Sequence, residues 1–522
     1  MAQNRSTVAV APARALTARP RLFAALEAAF PVRFVAADDS GPPADGVLVL
    51  AADPALAEVP DATTPTLVVG DAGRDDAPFE EITLAERAPV DRRVRGVTLR
   101  DRLVGSAFGA PDDVLAAAGA GAVWTHREGP ASVGRVRCVL PELADGQVLY
   151  ALLSQRAIAT VALIHFLRAV CAPVAWAAPP LRAAFVFDDP NLRWRSYGFI
   201  DYAALVAHAD ANDYHVAMAM IPLDATLPHR PTVSLFAQRA DRLSLVFHGN
   251  DHLRHELLAP TDDDAALAMA AQAIRRIERF ERRHGLTVQR VMMPPHGRCS
   301  EHTARALSAV GFDALCAIHP APWTEERPAS PPLVAWSPAE FVGGCAVIPR
   351  DALSSTQADI ALRAFLDHPV VIYGHHEDVA GGLEPLADAA DRVRRLGDVR
   401  WTSVGEIART NYLHRVAGGQ MTVRPYARRV AVEVGPEATT LAVTAPDPIG
   451  PELALRGWSL GTEPVRPFGE AVPVVPGTHE LRLHGTSDVD PAGVPAPAWR
   501  PWPTLRRAGT ELRDRAVALG RA

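Results

Sequence analysis

From residue 181 to about 410 the chain alternates apolar, β-prone runs with helical patterns, and this repetition constrains the fold more than any other feature. "RAAFVFDD", "HVAMAMIP", "RLSLVFHG", "QRVMMPP", "FDALCAIH", "HPVVIYGHH" and "VRWTS" read as strands. Between them "IDYAALVAHADAN", "DDDAALAMAAQAIRRIERFERRHG", "SEHTARALSAVG" and "LEPLADAADRVRRLG" read as helices. Strand-then-helix repetition of this length predicts a β/α barrel, complete or deformed. A chain of 522 residues is too long for one core, and about 150 residues per domain suggests roughly three. Residues 1–175 mix "TVAVAPA", "GVLVLAA" and "TLVVG" with "RPRLFAALEAAF", the rhythm of an α/β domain with a mostly parallel sheet. This segment carries neither GxGxxG nor GxxxxGK[ST], so nothing in it marks a nucleotide site. Pro-rich "CAPVAWAAPP" then marks a boundary, and the barrel is expected over 182–415. Short alternating strands over 417–500 predict a β-rich, sandwich-like domain, and 501–522 an amphipathic helix that docks back or frays.

Charge and composition exclude several function classes. A net charge of −7 gives no reason to expect a general nucleic-acid binder, since phosphate contacts need clustered positive charge. All 53 basic residues are arginine, since the chain contains no lysine. The most apolar stretch, residues 148–170, is interrupted by Arg156 and Arg168; it predicts a buried helix rather than a membrane span. The N-terminus has no apolar core of secretory length, which points to a cytoplasmic protein. The five cysteines are odd in number, widely spaced and in no CxxC pair, so buried reduced thiols are expected rather than disulfides or a cysteine zinc site.

Chemistry in a β/α barrel gathers at the carboxyl ends of the strands, and here those ends read "FVFDDP", "LVFHGNDH", "VMMPPHG" and "VVIYGHH". His248 and His252 stand four apart, a spacing that one helical turn places on one face, within reach of a shared metal. An isolated HxxxH pair also fits histidines that merely fill the barrel. Two imidazoles joined by a carboxylate suit Zn²⁺ or a similar divalent ion such as Co²⁺ or Ni²⁺. Asp188 and Asp189 are adjacent, so on a strand they point to opposite sides and cannot do the same job. One can ligate the metal while the other accepts a proton from water whose pKa the metal lowers. The bland alternative is a solvated Asp-Pro turn.

These motifs resemble those of the polysaccharide deacetylases of the NodB-homology fold, the carbohydrate esterase family four and its relatives, over about residues 182–410. The resemblance implies a deformed β/α barrel with the catalytic base at Asp188 and metal ligands at Asp189, His248 and His252. It likens "MPPHG" to the family's groove-lining turn, with Pro295 and His296 at the oxyanion, and "YGH" to the segment carrying the general acid, His375, or His376 if the register shifts by one. Four positions depart from the family pattern. Gly249 replaces a hydroxyl residue, Pro190 a glycine, Met293 the arginine that orients the base, and His296 an aromatic. Arg290 and Arg298 stand near enough in sequence to replace that arginine.

Several neighbours carry more than one reading. Trp194 and Tyr197 could stack on a sugar or belong to the core. His255 and Glu256 in "HLRHE" read as a solvated or packed helical face, Asn250 and Asp251 as shapers of the metal loop, and Asp224 as a cleft residue or turn initiator. Glu377 and Asp378 could orient the acid imidazole or lie exposed. The expected function is a metal-dependent hydrolase removing an acyl group, acetyl first, from an amide nitrogen of an amino sugar or related small molecule or oligosaccharide. Two alternatives stand beside it: hydrolysis of a non-sugar C–N bond, and an inactive carbohydrate-binding protein on the same fold.

Overall fold

The computed structural model describes residues 5–37, 44–59, 63–71, 77–109, 113–129, 132–318, 333–446, 455–485, 488–498 and 500–521. They divide into two compact units. The first comprises Met1–Ala177 with Glu326–Ser337 and Thr356–Leu366, and the second Ala178–Glu325, Pro338–Ser355 and Asp367–Ala522.

In the first unit, β1 (Ser6–Ala11), helices α1 (Ala13–Ala18) and α2 (Pro20–Ala29), β2 (Val32–Ala36), β3 (Gly46–Ala51) and β4 (Thr66–Gly70) are followed by β5 (Glu80–Leu84), β6 (Thr98–Asp101), β7 (Asp113–Ala118), β8 (Gly121–Arg127) and β9 (Val133–Val139). Helices α3 (Leu152–Gln155) and α4 (Ala157–Val170) complete the run. The sheet order is β2-β1-β3-β4-β9-β8-β7-β5-β6. Only the first half is parallel; from β9 to β6 every pairing is antiparallel. The mostly parallel sheet expected here is therefore corrected to a mixed one. The strongly apolar runs form the parallel half, where strands are covered on both faces, whereas strands such as "EEITL" bury alternate residues only and give a weak signal. Helix α4 is buried along most of its length, as its apolar sequence predicts, and no described helix is long and apolar enough to cross a membrane. All five cysteines are buried and free.

The second unit opens with β10 (Leu181–Asp188), buried throughout, and a short hairpin of β11 (Ser196–Tyr197) and β12 (Ile200–Asp201). Next come α5 (Tyr202–Asn212), β13 (Val216–Met220), α6 (Arg230–Gln238), β14 (Leu243–His248), α7 (Asp263–His284), β15 (Val288–Met293), α8 (Glu301–Ala309) and β16 (Ala314–Ala317). His319, the last residue of the strand expected there, lies outside the described residues. β17 (Glu340–Val342), β18 (Cys345–Pro349), β19 (Asp351–Ala352), α9 (Gln357–Phe365), β20 (Val370–Gly374), α10 (Glu384–Arg394), β21 (Val399–Trp401) and α11 (Val404–Arg409) follow; α9 belongs to the first unit. Capping follows the sequence: Asp262 starts α7 by accepting from the Ala265 N–H, and Gly285 ends it with φ 66°. Its buried residues Ala266, Ala270, Ile274 and Ile277 form the stripe that a packed helix presents.

The strands order as β17-β18-β16-β15-β14-β13-β10-β20-β19, with β21 beside β10 and β17 alone antiparallel to its neighbour. No described pairing joins β17 to β19, so the sheet stays open, the deformed rather than the complete form. Parallel register brings the carboxyl ends of β10, β13, β14, β15, β18 and β20 to one edge.

The rest of the chain forms β22 (Tyr412–Ala417), β23 (Gln420–Pro425), β24 (Arg429–Val434), β25 (Thr440–Val443), β26 (Leu455–Leu460), β27 (Ala471–Pro473) and β28 (Gly477–Gly485), then helix α12 (Trp502–Arg521). Two sheets, β22-β23-β25-β27 and β24-β28-β26, share buried residues such as Val423, Leu441, Trp458 and Leu481. That apolar cluster runs on through Ile407 and Val404 to Val186 and Val246 of the parallel sheet. The boundary expected at 417 thus falls inside one compact unit, because the two β-rich parts bury their faces together.

Candidate metal centre

Strand β10 delivers the two acids to different tasks. Asp188 is its last residue and is 3% exposed. The chain then turns through Asp189 at φ 68°, a left-handed conformation unusual for a residue other than glycine. Asp188 receives a two-pronged ion pair from Arg350, whose Nη1 and Nη2 donate to Oδ1 and Oδ2 at 2.8 Å each. Arg350 is buried, follows β18, and stacks its guanidinium 4.5 Å from the centre of the Tyr373 ring. Burial pushes the Asp188 carboxyl up, but Arg350 and His248 outweigh it and hold the acid below its usual range.

Asp189 faces the imidazoles. Its Oδ1 lies 3.2 Å from His248 Nε2 and 2.8 Å from His252 Nε2, and one ligand atom from each of the three falls within 4.8 Å of the others. Oδ1 is buried yet has no hydrogen-bond partner. The donor set of two imidazole nitrogens and one carboxylate oxygen suits a zinc-like divalent ion, and the orphaned oxygen is the one such an ion would satisfy. His248 is oriented from behind: its Nδ1 donates to the Met293 carbonyl at 2.9 Å, which leaves Nε2 as the lone-pair nitrogen of the neutral ring. Burial pushes Asp189 up and His248 down, but their mutual attraction reverses both, leaving Asp189 well below and His248 above the ordinary range. For His252 burial prevails and its pKa is lowered.

The spacing argument for His248 and His252 is corrected by the backbone. His248 ends β14, and the following residues form a turn rather than a helix, with Gly249 at φ 63° and His252 at φ 56°. Glu256 shapes that turn. Its buried carboxylate accepts from the backbone N–H of Asn250 at 2.9 Å, Asp251 at 2.7 Å and His252 at 3.0 Å. Burial dominates and raises its pKa. Arg276 adds bonds to Asn250 Oδ1 at 2.7 Å and Asp251 Oδ1 at 2.6 Å, in keeping with the loop-shaping role expected of these two residues. A Cβ at Gly249 would lie 2.3 Å from Glu256 Oε2 and 2.9 Å from Pro295 Cγ. A side chain at position 249 would therefore meet the carboxylate that holds the loop.

Other predicted residues divide clearly. Pro295 is buried and His296 exposed in the turn after β15, with His296 at φ 61° and its ring centroid 6.1 Å from that of His252. His375 follows β20, and its backbone N–H is held by Asp378 at 2.7 Å; its charge is among those that lower the Asp188 pKa. His376 is buried in an aromatic box, its ring 4.8 Å from Tyr197 and 5.5 Å from Phe199. Tyr197 is buried and donates to the Asp188 carbonyl at 2.9 Å. Trp194 is half exposed and lies under Arg515 at 3.7 Å. The expectation that Arg290 or Arg298 replaces the missing arginine is corrected: Arg290 is bonded to Glu281 at 2.8 Å through both prongs, Arg298 is exposed, and Arg350 faces Asp188 instead. Sequence reading missed Arg350 because "CAVIP" is short and went unassigned as a strand; the arginine directly after it was the available signal. It also read Glu256 as a solvated or packed helical face, where the fold buries it beneath the loop.

No family model and no curated protein matches the sequence. Among solved structures, a family 4 carbohydrate esterase from Streptomyces lividans in complex with acetate is similar over 42% of this chain and 88% of its own, at 14% identity and a TM-score of 0.26. A family 4 acetyl xylan esterase from Clostridium thermocellum in complex with a cobalt ion aligns over 43% and 89%, at 12% identity and 0.26. A CE4 family pseudoenzyme from Bacillus anthracis aligns over 44% and 66%, at 10% identity and 0.28. With TM-scores this low, the side-chain geometry alone carries the functional reading.

Three outcomes follow from this geometry. Arg350→Ala leaves a buried carboxylate unpaired and lowers stability by about 3–5 kcal/mol, read from the shift of the unfolding midpoint in denaturant. Gly249→Ser combines a left-handed strain of about 1–2 kcal/mol with the clash against Glu256, so zinc binding weakens by about tenfold or more in a folded protein, measured by chelator competition. Zinc binding requires the neutral His248 ring, and the neighbouring Asp188 and Asp189 raise the pKa of that ring. Zinc affinity therefore falls by about one log unit per pH unit as pH drops below the raised His248 pKa and levels off above it, measured by chelator competition across pH.

Proposed function

We propose that the protein is a metal-dependent hydrolase that removes an acyl group, acetyl foremost, from an amide nitrogen of an amino sugar or a related metabolite. The observation that carries this reading is the meeting of Asp189, His248 and His252 beside a second, separately neutralised carboxylate, Asp188. A binding groove alone has no use for a proton acceptor next to three converging ligands.

Asp189, His248 and His252 would hold the ion. When bound there, a divalent cation supplies Lewis acidity and lowers the pKa of water. Arg350 keeps Asp188 ionised and fixes both of its oxygens, so the carboxylate is ready to accept a proton from the attacking water. The turn at Pro295 and His296 borders the ligands, and the His296 N–H is the donor assigned to the developing oxyanion. His375 is preferred to His376 as the acid that protonates the leaving amine, since it directly follows β20 and is partly exposed while the His376 ring is buried between Tyr197 and Phe199. Water adds to the carbonyl carbon, the C–N bond breaks, and the products are a carboxylate and a protonated amine.

Asp188→Asn should retain zinc at the wild-type ratio yet lose about 10²- to 10⁴-fold in acetate release from N-acetylated sugars, the range for removing a general base. Wild-type turnover by a zinc-free His248→Ala/His252→Ala protein would overturn the assignment.

A further inference from the structure

Helix α12 lies against the strand-end edge of the second unit, and its contacts there follow the order of the strands. Arg506 donates from Nη1 to the His252 carbonyl in the loop after β14. Arg507 grips Asp224, in the turn after β13, from Nε at 2.8 Å and Nη2 at 2.6 Å. Glu511 accepts from Asn191 Nδ2 at 2.5 Å, and Arg515 stacks on Trp194, both in the segment after β10. The strands β14, β13 and β10 are consecutive neighbours in the sheet. From Arg506 to Arg515 a helix advances about 14 Å. Three adjacent strands span about 10 Å at about 4.8 Å per spacing. The helix segment is therefore long enough to cross all three strand ends, and its contacts meet them in order.

The positions 507, 511 and 515 recur every four residues and make one stripe. That stripe is polar, whereas Trp502, Leu505 and Leu512 are 64–69% exposed, so ionic and polar bonds rather than apolar packing seat the helix. Arg507 itself is 7% exposed and close enough to Asp189, Tyr197 and His252 to act on their charge. Asp224 is shared with Arg193 at 3.4 Å, which puts two cations on one carboxylate at the edge of the metal centre.

We infer that α12 is a strap across the ends of β14, β13 and β10, with Arg507 a specificity-determining residue, and that it restricts the proposed hydrolase to small acylated molecules or chain ends. An internal unit of a polymer can reach the centre only if the chain runs out over both sides of the strand-end edge, and the strap occupies one of them. This rests on the deacylase reading for its substrate chemistry, although the strap itself does not.

The test uses the full-length protein and its Arg507→Ala/Glu511→Ala/Arg515→Ala variant, which alters no metal ligand and leaves Arg193 against Asp224. Hydrogen exchange at residues 191–197, 222–226 and 502–513 should be about tenfold faster in the variant. Unchanged exchange overturns the strap. Zinc-loaded proteins are then assayed for acetate release from di-N-acetylchitobiose and hexa-N-acetylchitohexaose. The wild type should favour the dimer, and the variant should raise the hexamer-to-dimer ratio of kcat/KM by about tenfold. A wild type that cleaves both alike, or a ratio unmoved by the variant, overturns the size limit. Faster exchange with no acetate from either protein supports the strap and refutes deacetylation of N-acetylglucosamine oligomers, and with it the size limit.

Discussion

Asp188 and Asp189 bring a buried and a partly buried negative charge to the end of one strand, and each is met there by cationic or imidazole partners. Arg350 meets the first from a strand end 162 residues away, through two bonds of 2.8 Å. The imidazoles of β14 and its loop meet the second. Each solution draws on a different part of the parallel sheet, so the centre assembles only when β10, β14 and β18 stand in register. The left-handed turn at Asp189 is what parts the two carboxylates, sending one towards Arg350 and the other towards the ligand nitrogens.

The loop from Gly249 to Glu256 solves a related problem. Its backbone N–H groups are buried and find no partners in a helix or sheet, so a carboxylate beneath them collects three of the bonds. This arrangement fixes His252 in a left-handed conformation, a cost met by the surrounding bonds. It also accounts for Gly249, since a side chain there would displace the oxygen on which the loop is built. Asp189, His252 and His296 all have positive φ, and their concentration at one edge of the sheet sets this region apart from the regular strands beneath it.

Arginine does much of the long-range tethering. With no lysine in the chain, every cationic side-chain link other than histidine's is a planar fork able to hold two oxygens at once. Arg350 on Asp188, Arg507 on Asp224 and Arg429 on Asp313 each join segments more than a hundred residues apart. The last fastens β24 to the segment before β16, reinforcing the apolar cluster common to the parallel sheet and the C-terminal strands. Helix α12 depends on such links most heavily, because its large apolar side chains contribute little to its seating.

Local chemistry alone was enough to read seven strands and four helices of the second unit, though not α6, α11 or β17 to β19, together with the buried helix α4 and the strand ends that carry Asp188, Asp189, His248 and His375. Hydrophobic period, capping residues and breakers are written within a few positions of the elements they specify. The antiparallel half of the first sheet was illegible, as its strands are short and bury alternate residues only. The roles of Arg350 and Glu256, and the strand ends on which α12 docks, were not read from the sequence, and the expected helical turn between His248 and His252 proved to be a loop nested on a carboxylate. Sequence determined which residues stand at strand ends and what chemistry they can offer. Tertiary structure decided which cation faces which acid, since that pairing is settled by burial and by sheet register among segments far apart in the chain, and neither is encoded in the neighbours of any one residue.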